Sequence, residues 1–325
     1  MSRSRHVVLG LLLMVLALAA CGQSGTTGSG GAAATSAPAA QAPAPTAMAE
    51  AAPTAMAEAA PTAMAEAAPT AMAEATGAPA AGGDDLLAEV KQRGKLLIAT
   101  DANYKPQSFK NPDGSFEGFD IDVAKEVAKR LGVEAEFLDI SFDIITAGGW
   151  NGRWDMNAGS MTITPERKQS LYFTGPYYYT PATFVVHKDS AAASLADLKG
   201  KTIGVGAATT YQNYLEGSLT LEGEEILQPP PEGAQVKTYP SDVDALTDQA
   251  LGDGTRLDAV LTALPTADEA IKGGQPLKII GDPVYYEDLG LAFDQKSPKD
   301  SKSLADAVTK IIEEMHADGT LTGLA

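Results

Sequence analysis

Two short stretches hold most of the side chains able to grip a charged ligand. Arg167 follows the segment Ser160-Met161-Thr162-Ile163-Thr164-Pro165. A guanidinium is a planar fork that meets both oxygens of a carboxylate with parallel hydrogen bonds, and the hydroxyls of Ser160 and Thr162 can add contacts. The competing reading of Arg167 is a solvated charge beside Glu166 and Lys168, which would contribute little. Thr209 and Thr210 precede a helical pattern that starts near Tyr211, so their amides can face an anion from a second direction. Threonine at that place also caps a helix, and both uses can hold together. Tyr104, Phe109, Phe142 and Trp150 can line a pocket or fill a core, whereas Trp154 is expected to pack.

Other chemistry is sparse. Cys21 is the only cysteine among 325 residues, which excludes an internal disulfide and a cysteine metal cluster. The three histidines, His6, His187 and His316, are isolated, and no zinc, calcium or phosphate-loop motif is present. No metal or cofactor is therefore expected. Asp120 and Asp122 read as acids at the start of a helix that complement its dipole.

The elements that must position these residues follow from periodicity. Leu96 to Ala99, Val133 to Leu138, Met156 to Gly159, Thr183 to Val186, Thr202 to Val205, Leu257 to Leu261 and Leu277 to Ile280 read as strands. Helical patterns lie at Asp120 to Leu131, Leu195 to Leu198, Tyr211 to Leu215, Val243 to Leu251, Pro265 to Ile271 and Leu304 to Met315, with Gly132 stopping the first of them. Such β-α alternation predicts α/β lobes with mainly parallel sheets flanked by helices. Ligands on such sheets sit beyond the strand C-termini. A lobe boundary is expected near Val186-His187-Lys188-Asp189. A return crossing near Gly281 to Asp288 would carry the C-terminal helix back, giving one lobe from 84–186 and 285–325 and a second from 187–284.

The N-terminal region reads differently. Arg3 and Arg5 precede the apolar run Val7 to Ala20, too short to span a bilayer and therefore a signal peptide. It ends in Leu18-Ala19-Ala20-Cys21, which looks like a lipoprotein processing site with Cys21 as the lipidated residue. From 22 to 83 the chain is almost wholly Ala, Pro, Gly, Ser, Thr, Met and Glu, with Pro-Thr-Ala-Met-Ala-Glu-Ala-Ala recurring at Pro45, Pro53 and Pro61 and again at Pro69, where Thr76 takes the last place. Prolines at that period interrupt a helix, and no large side chain offers a core, so a tether is expected. The whole chain has 24 basic and 42 acidic residues. Setting aside Arg3, Arg5 and the four glutamates of the repeats leaves a net charge of about −16 on 84–325, which argues against nucleic acid.

Three stretches resemble the polar amino-acid-binding proteins of ATP-driven importers, the family 3 extracellular solute-binding proteins. They are Thr100-Asp101-Ala102-Asn103-Tyr104-Lys105-Pro106 leading to Gly118-Phe119-Asp120-Ile121-Asp122; Trp154-Asp155 through Gly159 to Arg167 and on to Phe173-Thr174-Gly175-Pro176-Tyr177-Tyr178; and Asp197-Leu198-Lys199-Gly200-Lys201 with Val205 and Thr209-Thr210-Tyr211. The resemblance runs from about Leu96 to the C-terminus. It implies a two-lobed periplasmic-binding-protein-like fold of type II that closes on a small polar solute. It also implies a binder rather than an enzyme, an ABC permease with its ATPase as partner, a monomeric binding domain and an extracytoplasmic location, lipid-anchored through Cys21. Arg167 matches the arginine that grips the ligand α-carboxylate, Ser160 and Thr162 match further contacts, Tyr104 matches the ring stacked over the ligand, and Phe142 aligns with an aromatic position.

Two positions depart from the family pattern. Ala208 stands where glycine is usual. Ala263 stands where most amino-acid binders place an aspartate that pairs with the ligand α-ammonium. Either another acid replaces it, with Asp101, Asp268 and Asp288 as sources, or the ligand is a small carboxylic acid without the amine. A ligand sensor for a membrane receptor and a dehydratase-like enzyme on the same scaffold, resembling the cyclohexadienyl dehydratases, are the remaining alternatives.

Overall fold

The computed structural model describes residues 84–325. The expected signal peptide, Cys21 and the proline-spaced repeats lie outside the described residues. In chain order the elements are α1 (Leu86–Arg93), β1 (Lys95–Thr100), β2 (Asn103–Tyr104), β3 (Ser108–Lys110), β4 (Phe116–Glu117), α2 (Phe119–Leu131), β5 (Glu134–Asp139) and α3 (Phe142–Thr146). They continue with β6 (Met156–Thr162), β7 (Leu171–Phe173), β8 (Tyr178–His187), β9 (Thr202–Gly206), α4 (Thr210–Leu215), β10 (Gln235–Tyr239) and α5 (Asp242–Gln249). The last are β11 (Ala259–Ala263), α6 (Leu264–Lys272), β12 (Leu277–Asp294), α7 (Lys302–Ala317) and α8 (Thr320–Leu324).

Local sequence explains the helix ends. The Asp85 carboxylate accepts the Ala88 amide at 3.2 Å to start α1, and Gly94 and Gly132 take left-handed conformations that close α1 and α2. Gly118 has φ +119°, and a Cβ there would lie 2.2 Å from the Gln107 carbonyl oxygen, so only glycine lets the chain turn into α2. In α7 the buried residues Leu304, Ala305, Val308, Ile311, Ile312 and Met315 form one stripe, which joins the same core as β1, α2 and the end of β12.

The main strands follow the order β10-β9-β11-β8-β12-β6-β1-β5. Pairing is parallel within β10-β9-β11 and within β6-β1-β5, the two outer groups. It is antiparallel at β11-β8, β8-β12 and β12-β6, so parallel pairing dominates only away from the junction. Two long strands carry the chain between the groups. On β8, Tyr178 packs with the first core while Ala182, Phe184 and Val186 belong to the second. On β12, Ile280, Val284 and Tyr285 belong to the second core and Leu289, Leu291 and Phe293 to the first. Core membership thus changes between Tyr178 and Ala182, several residues before the Val186–Asp189 boundary expected from the apolar run, because one extended strand serves both cores. The C-terminal helix α7 packs in the first core.

Candidate functional site

A cavity lies beside these two paired strands, and its walls come from both groups. From the first come Asp101, Tyr104, Phe142, Gly159, Ser160, Thr162 and Arg167; from the second, Gly206, Ala207, Thr209, Thr210, Tyr211, Pro240, Ser241 and Asp242; from the crossing strand, Glu287.

Arg167 is 8 % exposed and begins the 3₁₀ turn Arg167–Gln169 after β6. Thr164 Oγ1 accepts its amide at 3.2 Å, which holds the start of that turn. Its guanidinium donates to the Thr162 carbonyl at 2.9 Å and, across the cleft, to the Ala208 carbonyl at 2.9 Å. It lies 5.5 Å from the centre of the Phe142 ring, a stacked geometry that suits arginine. Burial lowers its pKa, opposed by the charge of Glu287, and no carboxylate lies within ion-pair distance among the described residues.

Ser160 has φ +49°. Its hydroxyl donates to Asp120 Oδ2 at 2.7 Å, its amide donates to the Tyr177 hydroxyl at 3.2 Å, and it shares a very short hydrogen bond with the Tyr178 hydroxyl. Tyr177 also donates to Asp120 Oδ1 at 2.6 Å. Asp120 is therefore a fully buried bracket that fixes the cavity wall, in addition to being an acid in the first turn of α2. Burial pushes its carboxyl up to about 6, against the pull of its hydroxyl donors.

From the opposite side, Thr209 caps α4 by accepting the Gln212 amide at 3.3 Å. The Thr209 hydroxyl donates to the Gly206 carbonyl at 2.7 Å. Thr210 begins the helix, and its hydroxyl donates to Glu287 in a very short contact. Ala208, between β9 and that cap, has φ +60°, which explains why glycine is the usual residue there. Asn103 joins the two walls by donating to Ser241 Oγ at 2.9 Å. These contacts across the cleft describe a closed arrangement.

The acids differ from those expected. Asp101 lines the cavity, but Asp268 and Asp288 do not. Ala263 ends β11, is buried, precedes α6 and does not line the cavity. Its neighbour Thr262 instead donates to Asp242 Oδ2 at 3.0 Å, and the Gly206 amide donates to Asp242 Oδ1 at 2.6 Å. A Cβ on Gly206 would lie 2.8 Å from that oxygen, so glycine is required for this contact. Asp242 is 2 % exposed, and burial, with Glu287 and Asp101 as like charges, pushes its carboxyl up to about 7. Glu287, also 2 % exposed, accepts Thr162 Oγ1 at 2.7 Å and Tyr211 Oη at 2.7 Å besides Thr210. It joins both walls to the crossing strand.

Of the aromatic candidates, Tyr104 and Phe142 line the cavity, and Tyr104 packs against the second core. Phe109 does not line it. Trp150 and Trp154 are both core, with ring centres 5.4 Å apart. His187 and His316 are outside the cavity, where the first lies beside the Asp189 amide and the second bonds the Pro176 carbonyl.

Two α/β lobes joined by crossing strands around a charged, half-apolar cavity define a bilobal solute-binding protein that closes on its ligand. The chain belongs to the bacterial extracellular solute-binding proteins, family 3, whose model matches residues 96–325. It is 32 % identical over 245 residues to the L-cystine-binding protein TcyJ of Escherichia coli K12, across 74 % of this chain and 85 % of that one. It is 33 % identical to the L-arginine-binding protein of Pseudomonas aeruginosa, across 69 % of this chain and 83 % of that one. Among solved structures it is similar to an ancestral arginine-binding protein bound to arginine, with TM-score 0.61, 33 % identity and coverage of 71 % and 96 % of the two chains. It is similar to the same extent to an ancestral arginine-binding protein bound to glutamine. It is thus the extracytoplasmic solute-binding component of an ABC importer, taking an amino-acid-like ligand between two lobes, and it is a binding protein rather than an enzyme.

Proposed function

We propose that the cavity holds one free amino acid, with its carboxylate on Arg167 and its ammonium on the acids that replace a carboxylate at Ala263. One observation carries this reading: a buried guanidinium without an acidic partner shares a cavity with buried carboxylates without basic partners. Charges left unpaired in this way are costly, and a zwitterion satisfies both. Tyr104 and Phe142 supply apolar walls, while Ser160, Thr162, Thr209 and Thr210 supply hydroxyl or backbone contacts. The presence of Asp242 and Glu287 favours an amine-bearing ligand over a simple carboxylic acid. The lobes are read as roughly 84–180 with 288–325, and 181–287 between them.

The apolar run ending at Cys21 supports a lipid anchor at that residue, with 22–83 as tether to the membrane and the permease as reader of the closed form. The test of the ligand grip is Arg167→Ala in a calorimetric titration. Two charge-assisted hydrogen bonds are worth about 3–5 kcal/mol together, so affinity should fall by about 10²–10⁴-fold. Unchanged affinity overturns the assignment.

A further inference from the structure

Three side chains outside the cavity join the two lobes. Asn103, Lys168 and Glu222 do not line it, so they act on the lobes rather than on the ligand. Asn103 belongs to β2, on an arm of the first lobe that reaches the start of α5 in the second. Its side-chain amide donates to Ser241 Oγ at 2.9 Å and to Asp244 Oδ1 at 3.3 Å, which uses both of its protons. Ser241 Oγ caps α5 by accepting the Asp244 amide at 3.2 Å, and it donates its own proton to Asp244 Oδ2 at 3.0 Å. A hydroxyl has one proton and two lone pairs, so the remaining lone pair is filled by Asn103 arriving from the other lobe. On the same arm, the buried Thr266 hydroxyl donates to the buried Gln107 Oε1 at 3.4 Å.

A second contact runs the other way, from the second lobe to the first. Between α4 and β10, residues 216–234 form no helix or strand, which is longer than most connections in a compact domain. Two places fix this strap. Leu219 packs in the second core, and further along the Leu227 amide donates to the Val284 carbonyl at 2.8 Å while the Tyr214 hydroxyl donates to the Gln228 carbonyl at 2.9 Å. The stretch between them carries Glu222, Glu224 and Glu225, and Glu222 pairs with Lys168 of the first lobe in a very short contact. Lys168 is in the 3₁₀ turn that begins with Arg167, and its carbonyl accepts the Gln295 side-chain amide at 2.9 Å, which ties that turn to the first lobe. Both charged side chains are exposed, so the pair is modest in strength and open to salt.

We propose that the arm at Asn103 and the strap at Glu222 are latches that hold the lobes closed without ligand, so that solute enters and leaves as they open. Each lobe extends one latch, and the other lobe receives it. Open and closed forms of a bilobal protein differ by little free energy, so contacts of this size move their ratio measurably. The two latches also differ in kind: the arm closes through neutral-donor hydrogen bonds, the strap through an ion pair that salt screens. The inference does not depend on which solute the cavity takes.

The experiment is double electron–electron resonance on the full-length protein with Cys21→Ser, freed of bound solute by unfolding and refolding. Nitroxides are placed at Lys125→Cys in α2 and Asp253→Cys after α5, both exposed, one on each lobe. The short, closed distance should dominate in the otherwise unsubstituted chain. Asn103→Ala should lower the ratio of closed to open molecules by about 3–10-fold, the scale of two exposed hydrogen bonds. At low salt Glu222→Lys should lower it by about 2–5-fold, and adding Lys168→Glu should restore it. Salt at about 0.5 M should erase the effect of Glu222→Lys and spare that of Asn103→Ala. The two effects should multiply when combined, because they share no partner. A ligand-free protein that is already open, either substitution leaving the distances unchanged, or a charge swap that fails to restore the ratio overturns the inference. Each of these results leaves the amino-acid reading standing, since that reading is tested by the Arg167→Ala titration.

Discussion

Asp242→Asn should stabilise the ligand-free protein at neutral and higher pH while weakening its ligand. In the folded state the carboxyl titrates at about 7, against 3.8 when exposed, because it is buried near Glu287 and Asp101. Below pH 3.8 it is protonated in both states and costs nothing. Between pH 3.8 and about 7 the folded state binds more protons than the unfolded one, so stability falls as pH rises. At about 1.4 kcal/mol for each pH unit, the whole interval amounts to about 4 kcal/mol, and water entering an empty cleft reduces it to about 2–4 kcal/mol. Asparagine keeps the geometry, since its oxygen can accept the Gly206 amide and its NH₂ can donate to the Thr262 hydroxyl. In calorimetric melts of the full-length, ligand-free protein, the variant should match the wild type near pH 4. It should lead by about 5–15 °C at pH 8. A constant offset across that range, or a variant less stable at pH 8, would refute the reasoning. Ligand affinity should fall at every pH where the wild-type carboxylate is charged, which sets function against stability at this one residue.

Two further outcomes are expected. Ala208→Gly removes a Cβ from a left-handed backbone position, so after the entropy of glycine is subtracted the melting curve should report a gain of up to about 1 kcal/mol; a clear loss would show that the alanine methyl packs usefully. Cys21→Ser should release the protein from membranes in cell fractionation while leaving calorimetric affinity intact, and continued quantitative membrane association would rule out the lipid anchor.

Most of the parallel strands and the principal helices were legible because their apolar residues recur at clear periods. Arg167, Ser160 and Thr162 were legible as candidates because the end of β6 and the turn after it match a family pattern residue by residue. The acids opposite them were not. Asp242 follows β10, an edge strand of sequence Gln-Val-Lys-Thr-Tyr with no apolar run to mark it, so nothing indicated that the next helix begins at the cleft. Glu287 was hidden by the alternation of a strand: it is 2 % exposed, while the tyrosine before it, Tyr286, is 38 % exposed, the reverse of what hydropathy suggests.

By itself the sequence pointed to α/β lobes, marked an arginine with hydroxyl neighbours as a candidate grip for a carboxylate, and put alanine at 263 where the family resemblance expects an acid. These are local properties of type and spacing. Tertiary structure alone decided which acids line the cavity, because two long paired strands run through both cores and the start of α5 and the middle of β12 meet at one cavity. The same arrangement sets the balance of charge inside that cavity. A count of acids along the chain cannot reveal it, since an aspartate in solvent and one at 2 % exposure have the same formal charge and very different costs.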